Sequence, residues 1–151
     1  MNDAATDMDA IEIADFLATQ ETGVLSLAND DDGYGIPVSF AYDDADEDGP
    51  HVYFRLGYAP GSRKRRYVDA SDHVSFTVYD RTDEGWTSVV ARGRLEEVSA
   101  RSLDAIVAEA VHGLDIPYFA VHDRPVRDLN LTLTRLDVTD LTGIVEGGGE
   151  S

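Results

Sequence analysis

A run of basic residues is the first feature of this sequence that could do chemistry. The run Ser62-Arg63-Lys64-Arg65-Arg66 holds four of the 12 Lys and Arg residues in a chain that also carries 30 Asp and Glu. Ser62 is a typical N-cap residue, so the run is expected to open a short helix that ends near Ala70. The N–H groups and the positive pole of a helix start, with an Arg or Lys head beside them, favour an anion. The sequence therefore predicts an anion site, and a phosphate is its natural ligand.

Two other interpretations of the basic run stay open on the residues alone. The run can be a solvated helix face that is balanced by Asp69, Asp72 and the acidic surroundings. It can also be a patch for a polyanion, although four basic residues do not overcome the repulsion of the whole chain.

A second candidate lies on the segment Trp86 to Leu95, which alternates as a strand does. The alternation places Trp86, Ser88 and Arg92 on one side, and the hydroxyl of Ser88 is expected beside the anion that the basic run holds. The competing interpretation is an exposed or edge serine. Gly93 inside the strand indicates a bulge or the close approach of another chain segment.

Other catalytic and metal-binding patterns are missing from the sequence. There are 4 His and 0 Cys, and the histidines lie in unrelated contexts without the spacing of metal ligands, so no metal site is expected. No nucleophile elbow, Walker loop or Gly-x-Gly-x-x-Gly pattern occurs. The residues therefore name no catalytic side chain.

The charge of the chain restricts its partners. A formal net charge of -18 disfavours binding to nucleic acid. Lys64 is the single lysine against eleven arginines, and so acidic a surface suits a salt-rich cytosol, where the screening length is a few Å. An ordinary acidic protein is the alternative. No apolar run reaches the length of a membrane span and the first residues are acidic, so a soluble cytoplasmic protein is expected.

The elements that position these residues are six strands and three helices. Asp9 and Glu12 predict a helix to about Gln20 that Gly23 ends, and Ser99 predicts another helix that stops at Gly113. The predicted strands are Val24–Ala28, Tyr34–Tyr42, His51–Leu56, Val74–Tyr79, Trp86–Leu95 and Leu129–Leu136. Short turns between successive strands predict an antiparallel β-barrel in an α+β domain. We expect one domain over residues 9–145, between a disordered tail at 1–8 and a flexible tail at 146–151.

Several motifs, taken in order, resemble those of a known family. They are Pro37-Val38-Ser39-Phe40-Ala41-Tyr42, Val52-Tyr53-Phe54-Arg55, Gly61-Ser62-Arg63-Lys64, Val74-Ser75-Phe76-Thr77-Val78 and Ser88-Val89-Val90-Ala91-Arg92-Gly93. Their order and spacing are similar to those of the pyridoxamine 5'-phosphate oxidase-like FMN-binding split-barrel family, over Ile11 to Gly143.

The resemblance implies a six-stranded antiparallel split barrel of Greek-key type that forms a homodimer with two FMN sites at its interface. By position, Arg63 and Lys64 match the pair that holds the FMN phosphate, and Ser88 matches a polar cofactor contact. The remaining matched cofactor positions lie on the strand that lines the flavin ring and on the strand before the phosphate loop: Pro37, Val38, Ser39, Tyr53, Phe54 and Arg55. Many relatives have a His where Arg55 stands.

The function implied by the resemblance is that of an FMN-binding oxidoreductase of unknown substrate. The Arg-rich segment that grips the substrate in the true oxidases is not present before the end at Ser151, so oxidation of pyridoxamine phosphate is not expected. A nicotinamide nucleotide is a possible reductant. The alternatives are a deazaflavin-dependent reductase and a non-catalytic module that binds flavin or haem.

Overall fold

The computed structural model describes residues 5–44, 49–58, 61–98 and 130–147. The helices are α1 (Ala10–Ala18) and α2 (Arg63–Ala70). The strands are β1 (Ala5–Asp7), β2 (Thr22–Asn29), β3 (Asp32–Asp43), β4 (His51–Tyr58), β5 (Val74–Thr82), β6 (Gly85–Glu97) and β7 (Asn130–Gly147). The helix expected between Ser99 and Gly113 lies outside the described residues.

Six strands close into a barrel, which confirms the predicted α+β split-barrel class. The order is β7-β4-β3-β2-β5-β6, every pairing is antiparallel, and β6 pairs back onto β7. β7 makes this closure possible because it is long. Its first half pairs with β4 over Asn130–Asp137, and its later residues Ile144–Glu146 pair with β1.

A β-bulge bends β6 where it meets β7. The register between the two strands shifts between Arg92 and Gly93, as the glycine predicts. A Cβ atom on Gly93 would lie 1.9 Å from the carbonyl oxygen of Asp137, so no other residue fits there without moving the backbone.

The core fills the barrel with the inward-facing residues of alternate positions. Phe54, Phe76 and Leu25 are at most 1% exposed. The ring of Phe76 meets the rings of Phe40 and Phe54 edge-on, with centroid distances of 5.0 and 4.9 Å. This geometry is the one that aromatic pairs prefer.

α1 begins and packs as predicted but ends earlier. Asp9 and Glu12 form a reciprocal capping box, with bonds of 2.8 and 2.9 Å, and the helix buries Ile13, Phe16 and Leu17. It ends at Ala18. Gly23 belongs to β2 instead, where an added Cβ would lie 2.5 Å from the ring of Phe76, so the glycine serves close packing and not helix termination.

The ends of the described chain carry more structure than expected. Ala5–Asp7 were assigned to a disordered tail, yet they form β1 because the late part of β7 offers them an open edge. Glu146 and Gly147 continue β7 for the same reason, since they pair with Trp86 and Gly85 of β6. Neither described helix is long and apolar enough to span a membrane.

Candidate functional site

The amino end of α2 presents the predicted anion-binding residues. The side-chain oxygen of Ser62 accepts from the N–H of Arg65 at 3.1 Å, which confirms the N-cap, and no acidic residue lies in the first turn. Arg63 is exposed and Lys64 is half-buried. Burial lowers the pKa of Lys64 from its ordinary value, because the low-dielectric surroundings disfavour the charged ammonium. An anion at this position would oppose that shift in pKa, because a negative charge favours the ammonium form.

Arg65 has a different role from its two neighbours in the basic run. Its guanidinium lies 2.8 Å from the carboxylate of Glu97 at the end of β6 and 3.3 Å from that of Asp69 one turn later in α2. Arg65 therefore ties the first turn of α2 to the barrel wall. Arg63 and Lys64 are the first two residues of α2, so of the run they lie nearest to the N-cap at Ser62.

The predicted residues of β3 and β4 divide between two faces of the sheet. The side chains of Val38 and Phe54 are 6% and 0% exposed and point into the core, so they can reach a ligand only through their backbone. Pro37 and Arg55 lie on the outer face. Ser39 alternates with the buried Val38 and Phe40 and so lies on the outer face too, where it pairs with Thr22 of β2.

Tyr53 lies on this outer face and is nevertheless only 3% exposed. Ala41, Val98 and Leu133 pack around its ring, and Arg135 bonds to its side chain. The outer face of β4 is thus covered at Tyr53 by side chains from β3, from β7 and from the residue after β6. At this position it forms a packed wall and not an open surface.

A network of charged groups extends from Tyr53, and the sequence analysis missed it. Arg135 pairs with Glu96 and also contacts the carboxylate of Asp137 at 2.8 Å. The ring of His51, itself 3% exposed, lies 3.2 Å from the same carboxylate. A visible signal was the alternation of Leu133, Arg135 and Asp137 on β7, but their partners come from strands distant in sequence.

The charges in this network act against one another. Burial raises the pKa of Asp137 and Glu96 raises it further, while Arg135 and His51 lower it. Burial disfavours the cation of Arg135, yet the bond to Glu96 and the charge of Asp137 outweigh this and raise its pKa. Arg135 is therefore the charge that holds two carboxylates together on the outer face.

Ser88 is not brought next to the basic residues within one chain. It lies on the outer face of β6, opposite Tyr79 of β5 and Ile144 of β7. Nine positions of β6 separate it from Glu97, which contacts Arg65, and this corresponds to roughly 30 Å along a strand. A hydroxyl at this position does not reach a phosphate that the start of the same α2 holds.

Exposed aromatic side chains surround Ser88. Tyr79 and Trp86 are 58% and 46% exposed, and their ring centroids lie 6.1 Å apart. The guanidinium of Arg81 lies 5.0 Å from the centre of the Trp86 ring. This patch of large apolar surface is typical of a region that another molecule covers.

One cavity in the described part of the chain lies away from these residues. Its volume is about 620 Å³, and α1, β1 and the β5–β6 turn form its walls. None of the predicted cofactor-binding residues lines it. Among the described residues, no group of three His, Asp or Glu is arranged to hold a metal ion.

Comparison with known proteins assigns the family. The sequence profile of the pyridoxamine 5'-phosphate oxidase family matches residues 9–145, nearly the whole chain. The chain belongs to this family. A search of the curated proteins finds no match.

Solved structures of family-like proteins share the fold. A conserved protein of unknown function from Corynebacterium diphtheriae is 26% identical, with a TM-score of 0.67, over 94% of this chain and 98% of that one. An FAD-binding protein from Mesorhizobium loti is 22% identical, with a TM-score of 0.66, over 93% and 96% of the two chains. An FAD-binding protein from Mycobacterium smegmatis is 24% identical, with a TM-score of 0.63, over 93% and 97%.

Proposed function

We propose that this member of the pyridoxamine 5'-phosphate oxidase family binds FMN and is a flavin-dependent oxidoreductase. The observation that carries the proposal is the pair Arg63 and Lys64 at the capped start of α2, in a first turn without acidic residues. In a chain with a net charge of -18, two cations at a helix start indicate a specific anion-binding site.

The residues present fit a flavin mononucleotide in both of its parts. The start of α2 suits the phosphate, because a cationic head and the helix pole act on the same charge. The outer face of β3 and β4 suits the ring, since Pro37, Ser39 and Arg55 share this face with the packed side chain of Tyr53. When bound, the flavin supplies electron or hydride transfer.

The protein groups then bind the flavin, orient its ring and stabilise the reduced form. Arg63 and Lys64 anchor the phosphate. Arg55, half-buried on the outer face, contributes positive charge where the reduced ring gains negative charge. The Tyr53 wall excludes water from that side, because Ala41, Val98 and Leu133 already pack against the tyrosine. No side chain of the chain needs to act as an acid or base for this role.

We further propose that two chains build each site in a homodimer. The separation of Ser88 from Arg63 and Lys64 along β6 supports this, because a partner chain can supply a serine that the same chain cannot. The exposed rings of Tyr79 and Trp86 beside Ser88 are the surface that such a partner would cover.

FAD is the second candidate cofactor. Two of the structurally similar proteins are described as FAD-binding, one from Mesorhizobium loti and one from Mycobacterium smegmatis. FAD carries a phosphoryl group at the same position of its ribityl chain, as part of a pyrophosphate joined to AMP, and the start of α2 would bind this anionic group. The nucleotide end would then need contacts outside this helix.

The visible spectrum of the protein purified in molar KCl, followed by denaturation and chromatography of the released ligand, tests the cofactor. Stoichiometric FMN supports the proposal, and FAD supports the second candidate. A released deazaflavin or haem, or a colourless protein that does not take up added FMN, overturns it. Turnover of the bound flavin with NADH or NADPH and an acceptor, above that of free FMN, separates an oxidoreductase from a binding module.

Mixing two defective chains tests the shared site. One chain carries Arg63→Ala and Lys64→Ala, and the other carries Ser88→Ala. If each site takes its cations from one chain and its serine from the other, mixed dimers regain one FMN site for every two chains. Mixtures that bind no more FMN than the separate variants would assign the whole site to one chain.

A further inference from the structure

Helix α2 is short and has no buried residue to hold it in place. It is eight residues long, shorter than the length at which isolated helices form in water, and none of its residues is fully buried. Its packing is mainly on β2, through the half-buried side chains of Tyr67 and Val68. The position of its amino end therefore depends on a small number of specific contacts.

The first of these contacts joins α2 to the β2–β3 hairpin. The hydroxyl of Tyr67 donates to the carboxylate of Asp32, the first residue of β3. Its ring packs on that of Tyr34 at a centroid distance of 4.8 Å. The bond to Asp32 raises the pKa of Tyr67, as expected when a carboxylate accepts the phenolic proton.

The second contact fixes the carboxyl end of the helix to β2. The hydroxyl of Ser71, the C-cap residue, accepts from the N–H of Ala28 at 3.0 Å. The same hydroxyl lies within donating distance of two carbonyl oxygens, 2.7 Å from that of Tyr67 and 2.9 Å from that of Ala28. One side chain thus joins the last turn of α2 to the last residues of β2.

These two contacts and the Arg65–Glu97 ion pair hold the helix from both ends. Glu97 lies at the end of β6, whereas Asp32 and Ala28 lie at the β2–β3 hairpin. Arg63 and Lys64 stand in the same turn as Arg65. Any shift of α2 along or away from β2 moves the two cations together.

We infer that Tyr67 and Ser71 are positioning residues for the anion site, because they fix where α2 presents Arg63 and Lys64. The inference rests on the proposed function. Tyr67 and Ser71 join α2 to the β2–β3 hairpin, toward the other end of the helix from the ligand. These two anchors therefore contribute to the selectivity for a phosphorylated flavin over an unphosphorylated one.

The experiment compares the dissociation constants of FMN and riboflavin, which lacks the phosphate, for the full chain in molar KCl. Tyr67→Phe removes the bond to Asp32 and keeps the ring, and Ser71→Ala removes the bonds to β2. We expect FMN binding to weaken about threefold in each variant and about tenfold in the double variant, as loss of one or two hydrogen bonds predicts. Riboflavin binding is expected to stay unchanged.

The control is Tyr34→Phe, which removes a hydroxyl next to the same ring pair and leaves both anchors intact. Hydrogen exchange of the α2 amides gives a second readout, and it should speed up in the double variant but not in the control. If the double variant does not fold, Asp32→Asn weakens the Tyr67 contact from the hairpin side and takes its place.

The outcomes separate this inference from the function it rests on. Equal weakening of FMN and riboflavin means that the anchors serve stability alone, and this overturns the inference, as does no change in either ligand. A wild-type chain that prefers FMN, and loses that preference in Lys64→Ala but not in the anchor variants, keeps the proposed function and rejects the positioning role. A wild-type chain without any preference for FMN rejects both.

Discussion

The first half of β4, His51 to Phe54, is buried on both faces of the sheet, but by different means. On the inner face Val52, Phe54 and Leu56 are at most 1% exposed within an apolar core. On the outer face His51 and Tyr53 are each 3% exposed within a shell of charges and small apolar groups. Apolar packing is non-directional and tolerates many sequences, whereas the outer face needs specific partners at specific positions. The difference indicates that the inner face contributes general apolar stability, whereas the outer face depends on particular partners.

The same contrast extends to α2. The barrel holds its strands by continuous ladders and a shared core, so no single polar contact decides its shape. α2 buries no residue completely and depends on Tyr67, Ser71 and Arg65. Changes on the inner face should therefore affect stability, and changes at α2 should affect the ligand.

The largest effect is expected from Phe54→Ala. The ring is fully buried and packs edge-on against Phe76, so its removal leaves a cavity in the barrel. We expect a loss of about 3 to 5 kcal/mol in the free energy of unfolding. Denaturant unfolding in molar KCl measures it, with Arg55→Ala next in sequence as the outer-face comparison. A loss below 1 kcal/mol would remove the distinction between the two faces.

Arg63→Ala with Lys64→Ala should have the next largest effect, on FMN alone. Loss of two charged contacts to a phosphate is expected to weaken FMN binding by about 100-fold or more, with unfolding changed by less than about 0.5 kcal/mol. Fluorescence titration measures the affinity. The matched control is Arg66→Ala with Arg94→Ala, which removes the same charge from exposed positions. An equal loss of FMN affinity in the control would mean that the net charge of the protein, and not a specific site, determines binding.

Arg135→Ala tests the charged network of the outer face. Glu96 and Asp137 then face each other without their shared cation, and we expect a loss of about 1 to 2 kcal/mol in unfolding free energy, limited by the exposure of both carboxylates.

The loss of unfolding free energy in Arg135→Ala should become smaller as the pH falls. Burial already raises the pKa of Asp137 and Arg135 opposes this, so the variant raises it further, and protonation then removes the repulsion. Unfolding curves across the acid range check this, with Arg92→Ala as the exposed control. A difference that grows toward low pH would contradict the account.

The smallest effect is expected at alkaline pH, where the loss of the Lys64 proton changes stability and FMN affinity in opposite directions. Its pKa is lowered by burial, so between that lowered value and the ordinary 10.5 the unfolded chain binds more protons than the folded one. The stability of the ligand-free chain should therefore gain from Lys64 as the pH rises through this range, while FMN affinity falls because the cation is lost.

Lys64→Arg isolates this behaviour, because arginine stays charged throughout and every other titrating group is shared. Affinity measured between pH 8 and the upper end of that window should decline more steeply in the wild type than in the variant. Parallel curves would show that Lys64 does not meet the phosphate.

Much of the fold could be read from local pattern. The capping box at Asp9 and Glu12, the N-cap at Ser62 and the bulge at Gly93 all appear as predicted, because each depends on residues close in sequence. The misreading of Gly23 had a long-range cause, since its neighbour is the ring of Phe76 on another strand. The ends of the domain were misjudged for the same reason, as β1 exists only because β7 leaves an edge for it.

In the candidate site, too, some features follow from the local sequence and others depend on tertiary contacts. The basic run indicated an anion, but it could not show that Arg65 pairs with Glu97, that Arg63 is exposed or that Lys64 is half-buried. Val38 and Phe54 belong to two of the motifs that resemble the family, but only the pleat of the sheet assigns these two side chains to the core. Ser88 was expected beside the anion, and the strand spacing separates the two within one chain.

The sequence by itself determined the family and the order of the barrel strands, and it predicted an anion site, because caps, alternation and charge runs act over a few residues. The tertiary structure decided that Arg65 pairs with Glu97, how Tyr53 is enclosed beside the network of Arg135, and how α2 is anchored to the hairpin. These are contacts between residues 32 to 86 positions apart. Only closure of the barrel brings such segments within the few Å over which hydrogen bonds and ion pairs act.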